Sequence, residues 1–246
     1  MPEYLVKITA KLPMTADILL VRVAAVSPAT FEVVPGAWMQ WRIPGPDGTT
    51  LRRCFSIACG RQHPGTLEFI IRKTPAGLGT KWLFEQAQVG NELTLAGPNG
   101  KFRLQADSGR PAVLIGGGSG LSALRSILQQ MRDEKTVKPA TTLFFGATCR
   151  SQLYLTDELE EFTRTIPGFR FVPALSSPQP TDNWSGETGL ITEVLDRHLA
   201  AMPGASGLEA YLCGSPGMLD ACQAVLAKHG VPADRIYFDK FVSPRP

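Results

Sequence analysis

A short apolar strand that runs into a glycine-rich turn and then a helix constrains this chain most. Pro111–Ile115 is the apolar run, Gly116–Gly120 is the turn, and Leu121–Arg132 is predicted to be a helix. Glycines let the backbone approach a ligand closely, and free N–H groups at a helix N-terminus attract an anion. The pattern Gly118-x-Gly120-x-x-Ala123 is typical of dinucleotide-binding turns. The turn lies in the middle of the chain, so the residues before it suffice for a separate domain.

Composition excludes several classes of protein. The 246 residues are 43% hydrophobic and carry a net charge of +3, which suits a soluble globular protein of one or two domains. We expect a cytoplasmic protein without a membrane span, because no apolar run approaches about 20 residues and the N-terminus does not resemble a signal peptide. Five scattered cysteines argue against a disulfide framework. Cys54 and Cys59 lack the third cysteine of an iron–sulfur site, and the histidines are isolated, so no metal site is expected.

Residues 1–106 are predicted to form one β-rich domain. Short alternating runs separated by Gly/Pro turns are typical of an antiparallel barrel. The six predicted strands are Leu5–Leu12, Ile18–Val26, Ala37–Ile43, Arg52–Ala58, Thr66–Arg72 and Glu92–Ala96. One helix, Lys81–Gln88, is predicted before the last strand.

Residues 107–246 are predicted to form a second domain, because strands and helices alternate after the polar stretch Ala106–Arg110. The predicted strands are Ala112–Ile115, Thr141–Phe145, Phe169–Ala174, Glu209–Cys213 and Arg235–Phe238. The predicted helices are Leu121–Arg132, Asp157–Thr165, Ile191–Ala201 and Gly217–His229. This order indicates a doubly wound parallel sheet, which binds ligands at the carboxyl ends of its strands.

Charge is distributed unevenly along the chain. Residues 1–110 contain 13 basic and 8 acidic residues, whereas residues 111–246 contain 12 and 14. This difference fits either an ordinary solvated surface or a basic face that steers an acidic protein partner. Nucleic acid is not an expected partner, because no dense Lys/Arg stripe with interleaved aromatic residues is present.

Three short motifs have both a structural and a functional interpretation. Arg53–Ser56 fits a half-buried strand, with Arg53 and Phe55 on one face, or a ligand-binding strand. Gly77–Thr80 fits a second phosphate-binding turn, or an ordinary helix start capped by Thr80. Cys213–Met218 lies where a strand of the second domain ends, so Cys213 is either a buried core cysteine or part of the ligand edge.

In this order, together with Gly97–Phe102 and the turn Gly116–Ala123, these motifs resemble those of the ferredoxin–NADP reductase superfamily. The resemblance covers nearly the whole chain. It is strongest to the reductase modules of bacterial oxygenases, the sodium-pumping quinone reductase and the flavin reductases. The segments Ser177–Gly189 and Tyr237–Phe241 support this placement.

The resemblance implies a flavin on the barrel, FAD in preference to FMN. Arg53 would bind its pyrophosphate, Phe55 would stack on the isoalloxazine ring, and Ser56 would bond the N5 edge. The full set implied for the flavin is Arg53, Cys54, Phe55, Ser56, Ile70, Ile71, Arg72, Gly77, Leu78, Gly79 and Thr80.

The resemblance also implies a nicotinamide nucleotide at the glycine turn. The set implied for it is Gly117, Gly118, Ser119, Gly120, Leu121, Arg150, Cys213, Gly214, Pro216 and Met218. Phe241 would flank the flavin and give way to the nicotinamide. Ser56, Cys213 and Phe241 would surround the reacting rings as positioning groups, and no covalent role is expected for Cys213. The second strand of this domain is followed by Arg150 and by no acidic residue. NADH and NADPH therefore both remain open, and the resemblance favours NADH.

The implied activity is hydride transfer from NAD(P)H to the flavin, followed by electron transfer to a separate acceptor. The expected partner is an acidic, ferredoxin-like carrier or an oxygenase component. Two alternatives remain. One is a reductase that releases free reduced flavin, and the other is a non-catalytic nucleotide-binding or partner-binding module.

Overall fold

Residues 1–241 are described by a computed structural model, and the first six strands form one antiparallel sheet. These strands are β1 (Glu3–Pro13), β2 (Ile18–Ser27), β3 (Trp38–Pro44), β4 (Thr50–Ser56), β5 (Thr66–Arg72) and β6 (Glu92–Asn99). They lie side by side in the order β4–β3–β6–β1–β2–β5. A bridge between Ile57 and Phe69 joins the two outer strands. The bridge closes the sheet into the predicted six-stranded barrel, which we call the barrel half.

Alternation of side chains along the strands builds the barrel core. In β1, Tyr4, Val6 and Ile8 are buried while the residues between them are exposed. Trp41 is fully buried and meets the rings of Phe55 and Phe69 edge to face. One helix, α1 (Leu78–Glu85), precedes β6.

The second half of the chain forms a parallel sheet with helices on both faces. Its strands are β7 (Ala112–Gly117), β8 (Thr141–Ala147), β9 (Phe169–Leu175), β10 (Glu187–Thr188), β11 (Glu209–Gly214) and β12 (Ile236–Lys240). Its helices are α2 (Leu121–Asp133), α3 (Thr156–Thr165), α4 (Ile191–Ala200) and α5 (Pro216–Lys228). We call residues 112–241 the parallel half.

Strand β7 occupies the position that matters most for ligand binding. The sheet order is β10–β9–β8–β7–β11–β12, and every pair in it is parallel. After β7 the chain adds β8, β9 and β10 on one side of this strand. It then returns to add β11 and β12 on the other side. This reversal opens a crevice at the carboxyl end of β7, where open α/β sheets bind ligands. The glycine turn follows β7 directly.

Most elements agree with the sequence-based predictions, and two differ. Strand β10 was not predicted, because its two residues carry no detectable pattern. Helix α1 begins three residues before the predicted Lys81. Its N-cap is Gly77, and the Thr80 hydroxyl donates a hydrogen bond to the Gly77 carbonyl from within the first turn. The interpretation of Thr80 as the N-cap is therefore wrong.

The barrel half and the parallel half share a hydrophobic core. Ile18, Leu20 and Ile70 of the barrel pack in one cluster with α2 residues such as Leu124 and Leu128. The chain crosses between the halves through residues 100–111, and the domain boundary after residue 106 stays a prediction. Within residues 1–241, no helix combines the length and apolar character that a membrane crossing requires.

Candidate functional site

The start of α1 lies against Arg53 of β4. A Cβ atom on Gly79 would lie 2.9 Å from Cγ of Arg53, so only glycine leaves room for this side chain. The first bond within the helix is donated by Lys81 to the Gly77 carbonyl, which leaves the N–H groups of the preceding turn free. A guanidinium beside free N–H groups is a suitable cradle for a phosphate.

The predicted residues of β4 alternate as the strand geometry requires. Phe55 is half-buried against Trp41, Ser56 is buried, and Cys54 is exposed. On β5, Ile70 is buried between the two halves, whereas Ile71 packs inside the barrel core. The side chain of Ile71 is therefore not available to a ligand.

Close contacts shape the glycine turn after β7. Gly118 has φ of +53°, a region that favours glycine. A Cβ atom on Gly120 would lie 2.0 Å from the Cys213 carbonyl oxygen, so the turn packs directly on the end of β11. The buried Tyr154 hydroxyl donates a 2.7 Å hydrogen bond to the Gly118 carbonyl. Ser119 lies within the turn, and Leu121 is the first residue of α2.

Arg72 connects the barrel to this turn. A Cβ atom on Gly118 would lie 3.2 Å from Nη1 of Arg72, and Nε of Arg72 bonds Asp17 at 2.7 Å. The end of β5, where flavin binding was predicted, therefore also contacts the turn predicted for the nicotinamide nucleotide.

The loop after β11 packs on the same turn. Pro216 begins α5, and Met218 lies over the backbone of two glycines. A Cβ atom on Gly117 would come 3.0 Å from Sδ of Met218, and one on Gly214 would come 2.6 Å from its Cε. These glycines allow the loops after β7 and β11 to meet.

The three predicted catalytic residues converge where the two halves meet. The Ser56 hydroxyl donates a 2.9 Å hydrogen bond to a carboxylate oxygen of Asp239. Asp239 lies directly opposite Cys213 in the β11–β12 pair. Phe241 follows β12, and its N–H donates to the Gly214 carbonyl at 3.0 Å. We call these four residues, Ser56, Cys213, Asp239 and Phe241, the seam.

The two titratable groups of the seam are both shifted toward their neutral forms. Complete burial raises the pKa of the Cys213 thiol well above its ordinary value. Burial also raises the pKa of the Asp239 carboxyl, although the Ser56 hydrogen bond opposes the shift. A cavity of about 330 Å³ opens beside Asp239, lined by Trp38, Gly100, Lys101, Phe102, Tyr237, Phe238 and Asp239.

Arg150 lies apart from the seam, in the loop after β8. The Arg150 guanidinium donates a 2.8 Å hydrogen bond to the Asp182 carbonyl, and the backbone N–H of Arg150 donates to the Asp182 carboxylate at 3.3 Å. Asp182 also accepts a bond from the N–H of Gln179 at 2.9 Å. An acidic side chain therefore stands beside Arg150, although it comes from a distant part of the sequence.

Sequence reasoning missed two residues of this region. Asp239 lies within the quoted segment Tyr237–Phe241, but its partner Ser56 is 183 positions away and no local pattern indicates the pair. Tyr154 lies in an irregular segment and has no motif of its own.

The geometry fits two nucleotide phosphates. One would lie between Arg53 and the start of α1, where a Cβ on Gly79 would fill the space. The other would lie at the start of α2, where Gly118 adopts a positive φ beside Arg72. The seam lies between these turns.

Comparisons with known proteins agree with this geometry. The family model of the oxidoreductase FAD-binding domain matches residues 5–104, and that of the oxidoreductase NAD-binding domain matches residues 114–224. The two matches fall on the barrel half and the parallel half, respectively.

Individual relatives match over nearly the whole chain. The reductase component of propane 2-monooxygenase from Rhodococcus jostii (strain RHA1) is 37% identical over 97% of this chain and 63% of that protein. The same component from Gordonia sp. (strain TY-5) is 36% identical over 97% of this chain and 67% of that protein. The chain thus spans about two thirds of the length of these curated relatives.

A solved structure agrees in fold. The ferredoxin reductase in carbazole 1,9a-dioxygenase superposes with a TM-score of 0.84 and 28% identity, covering 98% of this chain and 70% of that one. The chain therefore belongs to the ferredoxin–NADP reductase superfamily and carries an FAD-binding domain followed by an NAD-binding domain.

Proposed function

We propose that this protein takes hydride from NADH onto bound FAD and delivers the electrons to a separate acceptor protein. The observation that carries the proposal is the convergence of two phosphate-type turns, one in each half, on the seam between them. When bound, the flavin would accept one hydride, which carries two electrons, from the nicotinamide and release the electrons to the acceptor. The chain's own residues supply binding, alignment and exclusion of water.

The barrel half would hold FAD. Arg53 would pair with the pyrophosphate together with the free N–H groups of Leu78, Gly79 and Thr80. The half-buried ring of Phe55 offers an aromatic face for the flavin ring. The match of the oxidoreductase FAD-binding domain to residues 5–104 favours FAD over FMN.

The parallel half would hold the nicotinamide nucleotide. Its pyrophosphate would lie at the start of α2, on the N–H groups that follow Gly118. The Tyr154 hydroxyl holds the turn by donating a hydrogen bond to the Gly118 carbonyl. The nicotinamide end would extend toward Cys213 and Phe241 at the seam.

The seam would orient the two rings. The Ser56 hydroxyl donates a hydrogen bond to Asp239, which fixes the direction of this hydroxyl at the end of the strand that would bind the flavin. Cys213 would act through shape alone, because burial keeps its thiol protonated at neutral pH and a thiol is a poor nucleophile. Cys213 therefore needs no covalent role.

NADH is the proposed donor, in preference to NADPH. The carboxylate of Asp182 lies beside Arg150, which would meet the adenosine end of the nucleotide. A neighbouring negative charge repels a 2′-phosphate and weakens the pairing of that phosphate with Arg150.

The proposed acceptor is an oxygenase component or a ferredoxin-like carrier. Two relatives that match nearly the whole chain are reductase components of propane 2-monooxygenase. The solved relative is a ferredoxin reductase in carbazole 1,9a-dioxygenase. The excess of basic residues in positions 1–110 suits an acidic partner.

An anaerobic titration tests the proposal. The purified protein should retain a flavin, and NADH should bleach its absorbance at lower concentration than NADPH does. The reduced protein should then pass electrons to ferredoxin in preference to free flavin or quinone. Ready loss of the flavin on purification, with reduction of added free flavin, would instead show a flavin reductase. If neither nucleotide bleached the bound flavin, the protein would be a non-catalytic binding module.

A further inference from the structure

One face of helix α2 is polar although it is buried. Ser122, Arg125, Ser126 and Gln129 follow the i, i+3, i+4, i+7 spacing that places side chains on one side of a helix. The first three are buried, and this face points at the barrel half. We call these four residues the α2 polar face. Apolar residues are usual at such a buried position, and buried polar groups are stable there only when they are hydrogen-bonded.

All four members of the α2 polar face bind main-chain groups of the barrel, and three of them do so through uncharged side chains. The Ser122 hydroxyl donates to the Ser56 carbonyl at 2.6 Å and accepts from the N–H of Ile70 at 3.3 Å. The two others accept from glycines of the barrel: Gly36 N–H donates to the Ser126 hydroxyl at 2.9 Å, and Gly60 N–H donates to the Gln129 side-chain oxygen at 2.7 Å.

Arg125 is the charged centre of this face. Its Nη1 donates 2.7 Å bonds both to the Ala58 carbonyl and to Glu68 of β5, and its Nε donates to Glu158 of α3 at 2.8 Å. The Arg125 side chain is 9% exposed and that of Glu68 is 12% exposed. Both carboxylates point at one guanidinium, one from each half of the molecule.

Arg125 and Glu68 keep their charges despite burial. Burial alone would raise the pKa of Glu68, but Arg125 and Arg22 outweigh it and hold that pKa below its ordinary value. Burial alone would lower the pKa of Arg125, and the two carboxylates raise it. The ion pair is therefore present at neutral pH.

A buried ion pair is a weak source of stability, because desolvation of two charges offsets most of their attraction. Its distinguishing property is geometry, since a planar guanidinium bonds its partners only in fixed directions. Helix α2 begins at the turn predicted for the nicotinamide nucleotide. The α2 polar face bonds the segment Ser56–Gly60, which continues the strand predicted to hold the flavin.

We propose that Arg125 is a positioning residue, which fixes the angle between the two halves through Glu68 and thereby sets the rate of hydride transfer without touching either nucleotide. This inference rests on the proposed function. It assigns to the buried polar face a role in alignment, whereas the residues of the seam act at the rings themselves.

Two matched variants distinguish the bond of Arg125 to Glu68, which joins the halves, from its bond to Glu158, which lies within the parallel half. Glu68→Gln removes the charge that pairs with Arg125 across the halves, and Glu158→Gln removes the charge that pairs with it from α3. Arg125→Met removes the guanidinium itself. The two glutamine variants keep the test decisive where the methionine variant fails to fold.

Two measurements are made on each flavin-loaded variant. Rapid mixing with NADH gives the limiting rate of flavin reduction and the NADH concentration at half-saturation. Hydrogen exchange without NADH gives the protection of the Gly36, Gly60 and Ile70 amides, which donate to the α2 polar face.

Glu68→Gln should lower the limiting rate about tenfold or more, because small displacements of reacting groups cost this much. Half-saturation should stay within about twofold, since the nucleotide-binding turn is intact. The three amides should exchange faster, while the rest of the barrel keeps its protection. Glu158→Gln should leave the limiting rate and the Gly36 and Ile70 amides close to wild type. The Gly60 amide is left out of this comparison, because its acceptor Gln129 also donates to Glu158.

Equal limiting rates in wild type and Glu68→Gln, or equal losses in both glutamine variants, would overturn the inference. The proposed function fails in a different way, through a wild-type protein whose flavin neither NADH nor NADPH reduces.

Discussion

The two glycine-bearing turns differ in what holds them in place. The turn before α2 packs backbone against backbone, on the Cys213 carbonyl, and nine of the thirteen residues of its helix are buried. The turn before α1 packs against the side chain of Arg53, and three of its eight helical residues are buried. The first turn is therefore part of the folded core, whereas the second is held by side chains: Arg53 lies against Gly79, and the Thr74 and Thr80 hydroxyls lie against Gly77. Substitutions should affect stability at the first and ligand affinity at the second.

The largest effect expected from this comparison is at Gly120. A Cβ atom there would lie 2.0 Å from the Cys213 oxygen and 2.6 Å from its carbonyl carbon, and backbone atoms cannot move aside without shifting β11. Gly120→Ala should lower the free energy of unfolding by about 3 kcal/mol or more, at the upper end of overpacking effects. Denaturant unfolding measures this value.

Gly217→Ala is the matched control for Gly120→Ala. Gly217 lies in the first turn of α5, where no atom would meet a new Cβ within 4 Å. This variant should be as stable as wild type or up to about 1 kcal/mol more stable. Equal stability of the two variants would show that the glycine turn can shift, contrary to the comparison.

The turn before α1 should respond through flavin affinity. Arg53→Ala removes a guanidinium from the proposed pyrophosphate site, and a hydrogen bond to a charged group contributes about 1.5–3 kcal/mol. The dissociation constant for FAD should rise about ten- to hundredfold. Fluorescence titration of the apoprotein measures the constant.

Arg52→Ala controls for the loss of positive charge on the same strand. Arg52 is the exposed neighbour of Arg53, and its carbonyl, which accepts the bond from Arg53, remains in the variant. FAD affinity should stay within about threefold of wild type, as expected for an exposed charge. If both variants lost FAD equally, general charge would explain the binding, and the cradle at Gly79 would not.

The seam between the two turns should show a pH dependence of stability. Burial raises the pKa of Asp239, so the folded protein holds this proton more tightly than the unfolded chain does. The free energy of unfolding should therefore fall as pH rises from the ordinary aspartate pKa to the raised one. Asp239→Asn should remove this decrease, because the amide does not titrate.

Thermal unfolding of Asp239→Asn and wild type between about pH 4 and pH 7 measures the difference, over a window that begins near the ordinary aspartate value. The advantage of the variant over wild type should grow with pH. Asp234→Asn, at an exposed position in the loop before β12, serves as the control. A constant difference between Asp239→Asn and wild type would show that Asp239 titrates normally.

The smallest effect is expected at Asp182, which lies beside Arg150 in the parallel half. Asp182→Asn should raise the preference for NADPH over NADH about two- to fivefold, since exposed charge pairs contribute up to about 1 kcal/mol. The ratio of the two kcat/KM values measures the preference. Glu160→Gln, at an exposed site on α3, should leave the ratio unchanged. An unchanged ratio in Asp182→Asn would remove the reason given for NADH.

Local patterns were enough to predict the architecture. Alternating burial in β1 and the apolar run of β7 bury side chains at the spacing that each sheet requires, so the strands could be predicted without the tertiary structure. The five ordered motifs placed Arg53, Ser56, Gly118 and Cys213 on the elements where the structure has them. Their roles toward the two nucleotides stay predictions.

The sequence by itself determined two sheets, two glycine-bearing turns and their order, because these follow from interactions between near neighbours. Only the tertiary structure decided which distant groups meet. Ser56 and Asp239 are 183 positions apart, and Glu68 and Arg125 are 57 positions apart. Such pairs follow from the packing of α2 and β12 against the barrel, and no local spacing encodes them. The structure also decided why Gly120 is required, since the Cys213 carbonyl comes from a strand more than 90 residues later in the chain.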